Sequence, residues 1–328
     1  MAVLAAGKKA SVISHYGSDG RISKYIDTGE TVFEGEQKIV TDGPVSHYYS
    51  GDGSLTVVET YLPRPRMIIL GGGHIALALS AMAKMCDFYV VIFDDRPSFA
   101  NQDRFPFADE VICDSFSKLF DRLNIRQTDY VVIVTRGHKH DQECIEGVLK
   151  GEAPAYTGMI GSKRRIAIVM KQLLEAGYPK ERLENVYSPI GLRIGAVTPS
   201  EISVSILAEV IEVKRLKRPE EGGLSCDLEV ASRLAEQGGF ADALITILKT
   251  EGSVPREAGA KMCMSYEGSL IGTIGGGCAE SGIMQESRSL ILSGGWKTMT
   301  VDMTDTAEED GMVCGGWMTV LAESVKGL

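Results

Sequence analysis

From Met67 onward the chain repeats one pattern, a short run apolar at every position followed by a stretch with helical periodicity. The runs are MIIL (67–70), YVVIF (89–93), VIC (111–113), YVVIV (130–134) and YTGMI (156–160). A strand apolar on both sides needs cover on both faces, which is the condition inside a parallel sheet flanked by helices. After the last run, Ile166, Val169, Met170 and Leu173 recur at i, i+3, i+4 and i+7, and Gly177 stands where a glycine would stop the helix. Thr198-Pro199-Ser200-Glu201 opens another helix: Thr198 can cap, Pro199 suits the first turn, and Glu201 can return a bond to the cap amide. Its expected core face is Val204, Leu207, Ala208 and Ile211. The pattern predicts a doubly wound, Rossmann-type α/β domain over residues 66–218.

Residues 1–62 read as a small β-rich segment, with LTVVETYL at 55–62 and turn signals at Asp19-Gly20, Asp42-Gly43 and Asp52-Gly53. Pro63 and Pro65 stiffen the connector that follows. Basic residues from Lys214 to Arg218, then Pro219 and Gly222-Gly223, read as a linker. Beyond it, residues 224–328 form a second α/β or α+β domain, with a short helix over 227–237, strands ALITIL (243–248) and KMCM (261–264), a helix over 280–292 and closing strands around Met299 and Trp317.

At 328 residues two or three units are expected. A net charge of −10 repels a phosphate backbone, so nucleic acid is not an expected main partner. No apolar run approaches a membrane span and the start is unlike a secretory signal, which makes the cytoplasm the expected compartment and a membrane no expected partner. Seven cysteines without CxxC spacing are expected as free thiols.

Immediately after MIIL, Gly71-Gly72-Gly73-His74-Ile75-Ala76 fits G-x-G-x-x-A at a strand-to-helix turn. There Gly71 permits the turn, Gly73 lets a phosphate approach the backbone, and Ala76 allows close packing. Asp94 closes the second strand, where a carboxylate can accept bonds from a ribose. The alternative is a scaffold that keeps the turn without binding a dinucleotide. Arg96, just beyond, suits a phosphate or an ion pair equally. His74, His138 and His140 with Asp141 fall at the same sheet edge, where hydrogen-bonded loop histidines are favoured over a metal site. Ser162, opening Ser162-Lys163-Arg164-Arg165, marks either an anion-binding helix start or a solvated charge run.

In the last domain, Gly275-Gly276-Gly277-Cys278 sets a thiol at the end of a glycine run before a helix, and Cys314 stands against Gly315-Gly316. Amides there lower a thiol pKa, and two thiols beside bare backbone suit a soft ligand. Small buried packing residues are the equal alternative.

The motifs GGGHIALALSAMAK, VIFDDRPSFAN, RFPFAD, TRGHKHDQ, MIGSKRR and SPIGLRIGAVTPSEISVSILAEVI occur in the order seen in the XdhC/CoxI family, and EGSVPREAGAKM, GTIGGGCAE and GMVCGGWMTV resemble that family's other domain. The resemblance covers most of the chain; the thiol-bearing domain, which in the family usually precedes the Rossmann domain, follows it here. It implies an accessory protein, a chaperone more than a catalyst, that binds molybdenum cofactor (molybdopterin) and protects it during sulfuration. Its expected partners are a cysteine desulfurase, an apo molybdenum hydroxylase of the xanthine dehydrogenase type and further copies of the chain itself. Carried over by motif, Gly71, Gly73, His74, Asp94, His138 and Ser162 serve one cofactor-binding site, and Arg256, Gly275, Gly276, Gly277, Cys278 and Cys314 the other. An NAD(P)-dependent oxidoreductase using the Rossmann turn is the alternative.

Overall fold

The computed structural model describes residues 4, 8–28, 44–217, 224, 228–235, 242–275, 278–303 and 316–325. The chain divides into two compact units, one of residues 64–221 and one that joins 1–63 to 222–328.

The N-terminal strands β1 (Ala10–Tyr16), β2 (Ile22–Asp27), β3 (Val45–Tyr49) and β4 (Leu55–Tyr61) form an antiparallel sheet in the order β2-β1-β4-β3. Gly20 and Gly53 adopt positive φ (83° and 85°) in the turns their Asp-Gly pairs announce. Asp42-Gly43 lies outside the described residues.

The unit of residues 64–221 is a parallel sheet of β5 (Arg66–Leu70), β6 (Tyr89–Asp94), β7 (Glu110–Cys113), β8 (Tyr130–Ile133), β9 (Tyr156–Met159) and β10 (Val186–Tyr187), in the order β10-β9-β8-β5-β6-β7. Alternate residues of each apolar run point to opposite faces. Met67, Ile69, Val90, Ile92 and Val132 pack with α1 (His74–Met85), while Ile68, Leu70, Val91, Phe93, Val131 and Ile133 pack with α2 (His138–Lys150) and α3 (Lys163–Glu175). This is the doubly wound Rossmann arrangement. Helix α3 buries Ile166, Val169 and Leu173 and ends before Gly177, whose φ is +91°.

Helix α4 (Pro199–Glu212) starts with the expected capping box, Thr198 and Glu201 bonding reciprocally. Its buried face differs from the expected one. Ile206, Leu207 and Val210 are inside, whereas Val204 is 47% and Ile211 37% exposed. Polar residues on the inner stripe account for the shift: Ser203 Oγ donates to the Ile75 carbonyl at 2.9 Å, and the buried Glu209 carboxylate accepts from Tyr156 Oη (2.6 Å) and the Gly191 amide (2.9 Å).

In the other unit, α5 (Leu228–Ala235) precedes β11 (Ala243–Glu251), β12 (Lys261–Met264), β13 (Leu270–Gly272), α6 (Cys278–Ser293), β14 (Trp296–Asp302) and β15 (Trp317–Ser324), and the strands form an antiparallel sheet ordered β13-β12-β11-β15-β14. Helix α6 packs on one face through Ile283 and Ile291. The N-terminal strands add Tyr16, Leu55 and Val57 against Leu248, Leu321 and Trp296. Buried charges there are paired: Glu323 accepts from Tyr16 Oη (3.1 Å) and Lys24 Nζ (2.7 Å), and Lys261 Nζ meets Glu59 at 2.5 Å. Strands β1 and β4 thus contribute to the core of the unit that contains the C-terminal strands.

Candidate functional site

Strand order in the Rossmann unit reverses between β5 and β8, and sheets of this kind bind ligands beyond the carboxyl ends of the strands at that reversal. Two loops arrive there, Gly71–Gly73 after β5 and Thr135–Gly137 after β8. Gly71 has φ +113°, and a Cβ on it would lie 2.5 Å from the Val134 carbonyl oxygen, so this first glycine lets the two loops touch. A Cβ on Gly72 would lie 2.1 Å from the Phe99 carbonyl oxygen, so the second lets the 97–105 segment close over the turn. Only Gly73 of the three faces open space, with no atom of the described residues within 4 Å of a built Cβ. Helix α1 begins just after it without a side-chain cap, which leaves the positive end of a helix facing that space. His74, its first residue, is exposed.

Asp94 sits at the end of β6 and is 1% exposed. Its Oδ1 accepts from the Arg96 amide (3.0 Å) and Arg96 Nε (2.8 Å), and its Oδ2 from the Gly72 amide (2.8 Å) and Arg96 Nη2 (2.9 Å). Burial pushes the carboxyl pKa up, yet the guanidinium and the two amides outweigh it and hold the group below its ordinary range. Of the two roles open to Arg96, the structure has the ion pair. The Arg96 guanidinium also lies over the Phe99 ring, 3.6 Å from its centroid.

Arg104 approaches the same turn, Nε donating to the Gly72 carbonyl at 3.1 Å, while its Nη2 is buried with no hydrogen-bond partner among the described residues. Periodicity and the glycine motif gave no sign of Arg104 or Phe99. The clue lay in the sequence between β6 and β7, too rich in arginine and aromatic residues for a plain connector.

At the β8 edge, Arg136 Nη2 donates to Asp95 Oδ2 at 3.0 Å, and His140 is held by Glu143 (3.1 Å) and lies against the Phe116 ring. Asp141 is buried and paired with Thr135 Oγ1 and Arg165. Ser162 caps α3, its Oγ accepting from the Arg165 amide at 3.3 Å. His138 opens α2, and its side chain lies outside the described residues. Among the described residues no group of three His, Cys, Asp or Glu side chains gathers as metal ligands, and no helix is long and apolar enough to cross a membrane.

The second unit gathers its own motifs. Gly275 (φ +142°) packs on Pro255, 3.0 Å from a built Cβ, and a Cβ on Gly316 would lie 2.7 Å from the Ser253 carbonyl oxygen. The 253–256 loop, which carries the exposed Arg256, therefore touches both the loop that leads into α6 and the residue that leads into β15. Glu280 ties the first of these, accepting from Thr273 Oγ1 (2.8 Å) and the Ile274 amide (3.1 Å). Cys278 is the first residue of α6 with its side chain outside the described residues; Gly276, Gly277 and Cys314 lie outside them altogether.

Residues 67–210 match the model of the XdhC Rossmann domain and residues 236–302 that of the XdhC and CoxI family. A protein of Escherichia coli (strain K12), the uncharacterized YqeB, is 30% identical over 49% of this chain and 30% of its own length. A Bacillus subtilis (strain 168) protein, named a probable xanthine dehydrogenase subunit, is 33% identical over 48% of this chain and 46% of its own length. The chain thus matches less than half the length of either curated relative. A crystal structure described as a xanthine dehydrogenase from Bacillus halodurans superposes with a TM-score of 0.54 at 28% identity, over 67% of this chain and 64% of that one. A Rossmann sheet with its glycine turn, a second unit whose 253–256 loop meets Gly275 and Gly316, and matches to both parts in one polypeptide agree: the chain belongs to the XdhC/CoxI family.

Proposed function

We propose that this chain is an accessory protein of a xanthine dehydrogenase-type molybdenum hydroxylase. In this reading it binds molybdenum cofactor, shields it while it gains its terminal sulfur from a cysteine desulfurase, and hands it to the apo-enzyme. The observation that carries the proposal is the meeting of the 253–256 loop with Gly275 and Gly316, the glycines flanking the two thiol motifs of the C-terminal unit. The names of the Bacillus relatives support the partner class.

The residues present fit such a cargo. A phosphate tail needs donors and room, and the Rossmann unit supplies the open space at Gly73 and the uncapped start of α1. The C-terminal unit supplies the exposed Arg256, while the Ile274 and Gly275 amides are already taken by Glu280 and Thr273. When bound, the cofactor brings a molybdenum centre on a pterin dithiolene, and Cys278 and Cys314 are the soft donors this chain would set beside it. Cys278→Ser and Cys314→Ser should melt as the parent does yet activate an apo-hydroxylase poorly, because serine keeps the size and loses the soft ligand. Normal activation by both folded variants would remove the thiols from the proposal.

A further inference from the structure

We infer that Arg96 is a specificity-determining latch that closes the Rossmann crevice to adenosine dinucleotides. In a dinucleotide site of this fold the acid at the end of the second strand accepts hydrogen bonds from the ribose hydroxyls. Asp94 holds that position, but a carboxylate offers about four lone-pair sites. All four are filled from within the chain: by the amides of Gly72 and Arg96 and by Nε and Nη2 of Arg96. With 1% of its surface exposed, Asp94 presents nothing to a ribose.

The space beside it is filled as well. The Phe99 carbonyl lies where a Gly72 Cβ would be, Arg96 stacks on the Phe99 ring, and Arg104 donates to the Gly72 carbonyl from the same segment. The segment between β6 and β7 thus covers the half of the turn an adenosine would use, while the half at Gly73 stays open. Resting on the function proposed above, the crevice that takes a phosphate-bearing cargo at Gly73 excludes an adenosine dinucleotide.

Titration calorimetry with ADP-ribose on the full chain tests the latch. The parent protein should show no measurable binding, and Arg96→Ala, which frees two lone pairs of Asp94, should bind with a Kd at least about tenfold below the weakest the calorimeter detects. Adding Asp94→Ala should abolish that gain. Arg96→Gln, which keeps one donor on the carboxylate, is the second variant if Arg96→Ala loses its melting transition. ADP-ribose binding by the parent that Asp94→Ala abolishes would overturn the latch, as would a folded Arg96 variant with no gain. Loss of molybdopterin retention with these results intact would remove the proposed function and leave the latch standing.

Discussion

Arg96 grips both oxygens of Asp94, two residues before it, while Asp94 holds the amide of Gly72 on the neighbouring strand's turn. The end of β6 therefore sets the shape of the loop after β5. Asp94→Ala leaves the Gly72 amide without its acceptor in a buried place, and Arg96, 28% exposed, can turn outward. The expected loss is about 1–3 kcal/mol in urea unfolding. An unchanged midpoint would contradict this role of Asp94 in the turn.

The same contacts set a pH dependence. The folded Asp94 carboxyl titrates below its ordinary range, so the unfolded chain binds the proton more readily. Stability from this group is present above the ordinary carboxylate pKa of about 4, and it is lost as pH falls through the lower folded value. Asp94→Asn should flatten the stability curve on that acid side. Parallel curves for parent and variant would contradict it.

The glycines of the turn should separate by role. Gly72→Ala forces a methyl onto the Phe99 carbonyl and should cost about 1–3 kcal/mol through displacement of that segment. Gly73→Ala meets no atom, and the φ of −72° suits alanine, so its stability cost should stay under about 1 kcal/mol while phosphate-bearing cargo binds less well. Melting and retention measured on both variants check the separation. Equal melting losses would contradict it.

Helix α4 offers a test of packing. Ile206→Ala should cost about 2–5 kcal/mol, since the side chain is fully buried. Val204→Ala, on the exposed side, should stay within about 0.5 kcal/mol. The reverse order would restore the face expected from apolar spacing alone.

That helix also shows where sequence reading stops. Strands β5, β6 and β8 were legible because a run apolar at every position has one common home, a sheet covered on both faces, and the capping box was legible because it is local chemistry. The inner stripe of α4 was not, because Ser203 and Glu209 are buried through partners at Ile75, Tyr156 and Gly191, far away in the chain. For the same reason Gly71, Gly73 and Asp94 could be placed at the sheet edge by motif. Whether Asp94 faces a ribose or an arginine depends on the path of residues 95–105, which no spacing rule encodes.

Retention of molybdenum cofactor on gel filtration of the full chain, with molybdenum and pterin measured in the protein peak, decides whether this protein is a cofactor carrier. About one cofactor per chain is the predicted result. A protein peak free of both molybdenum and pterin, from folded protein loaded with an excess of cofactor, would contradict it.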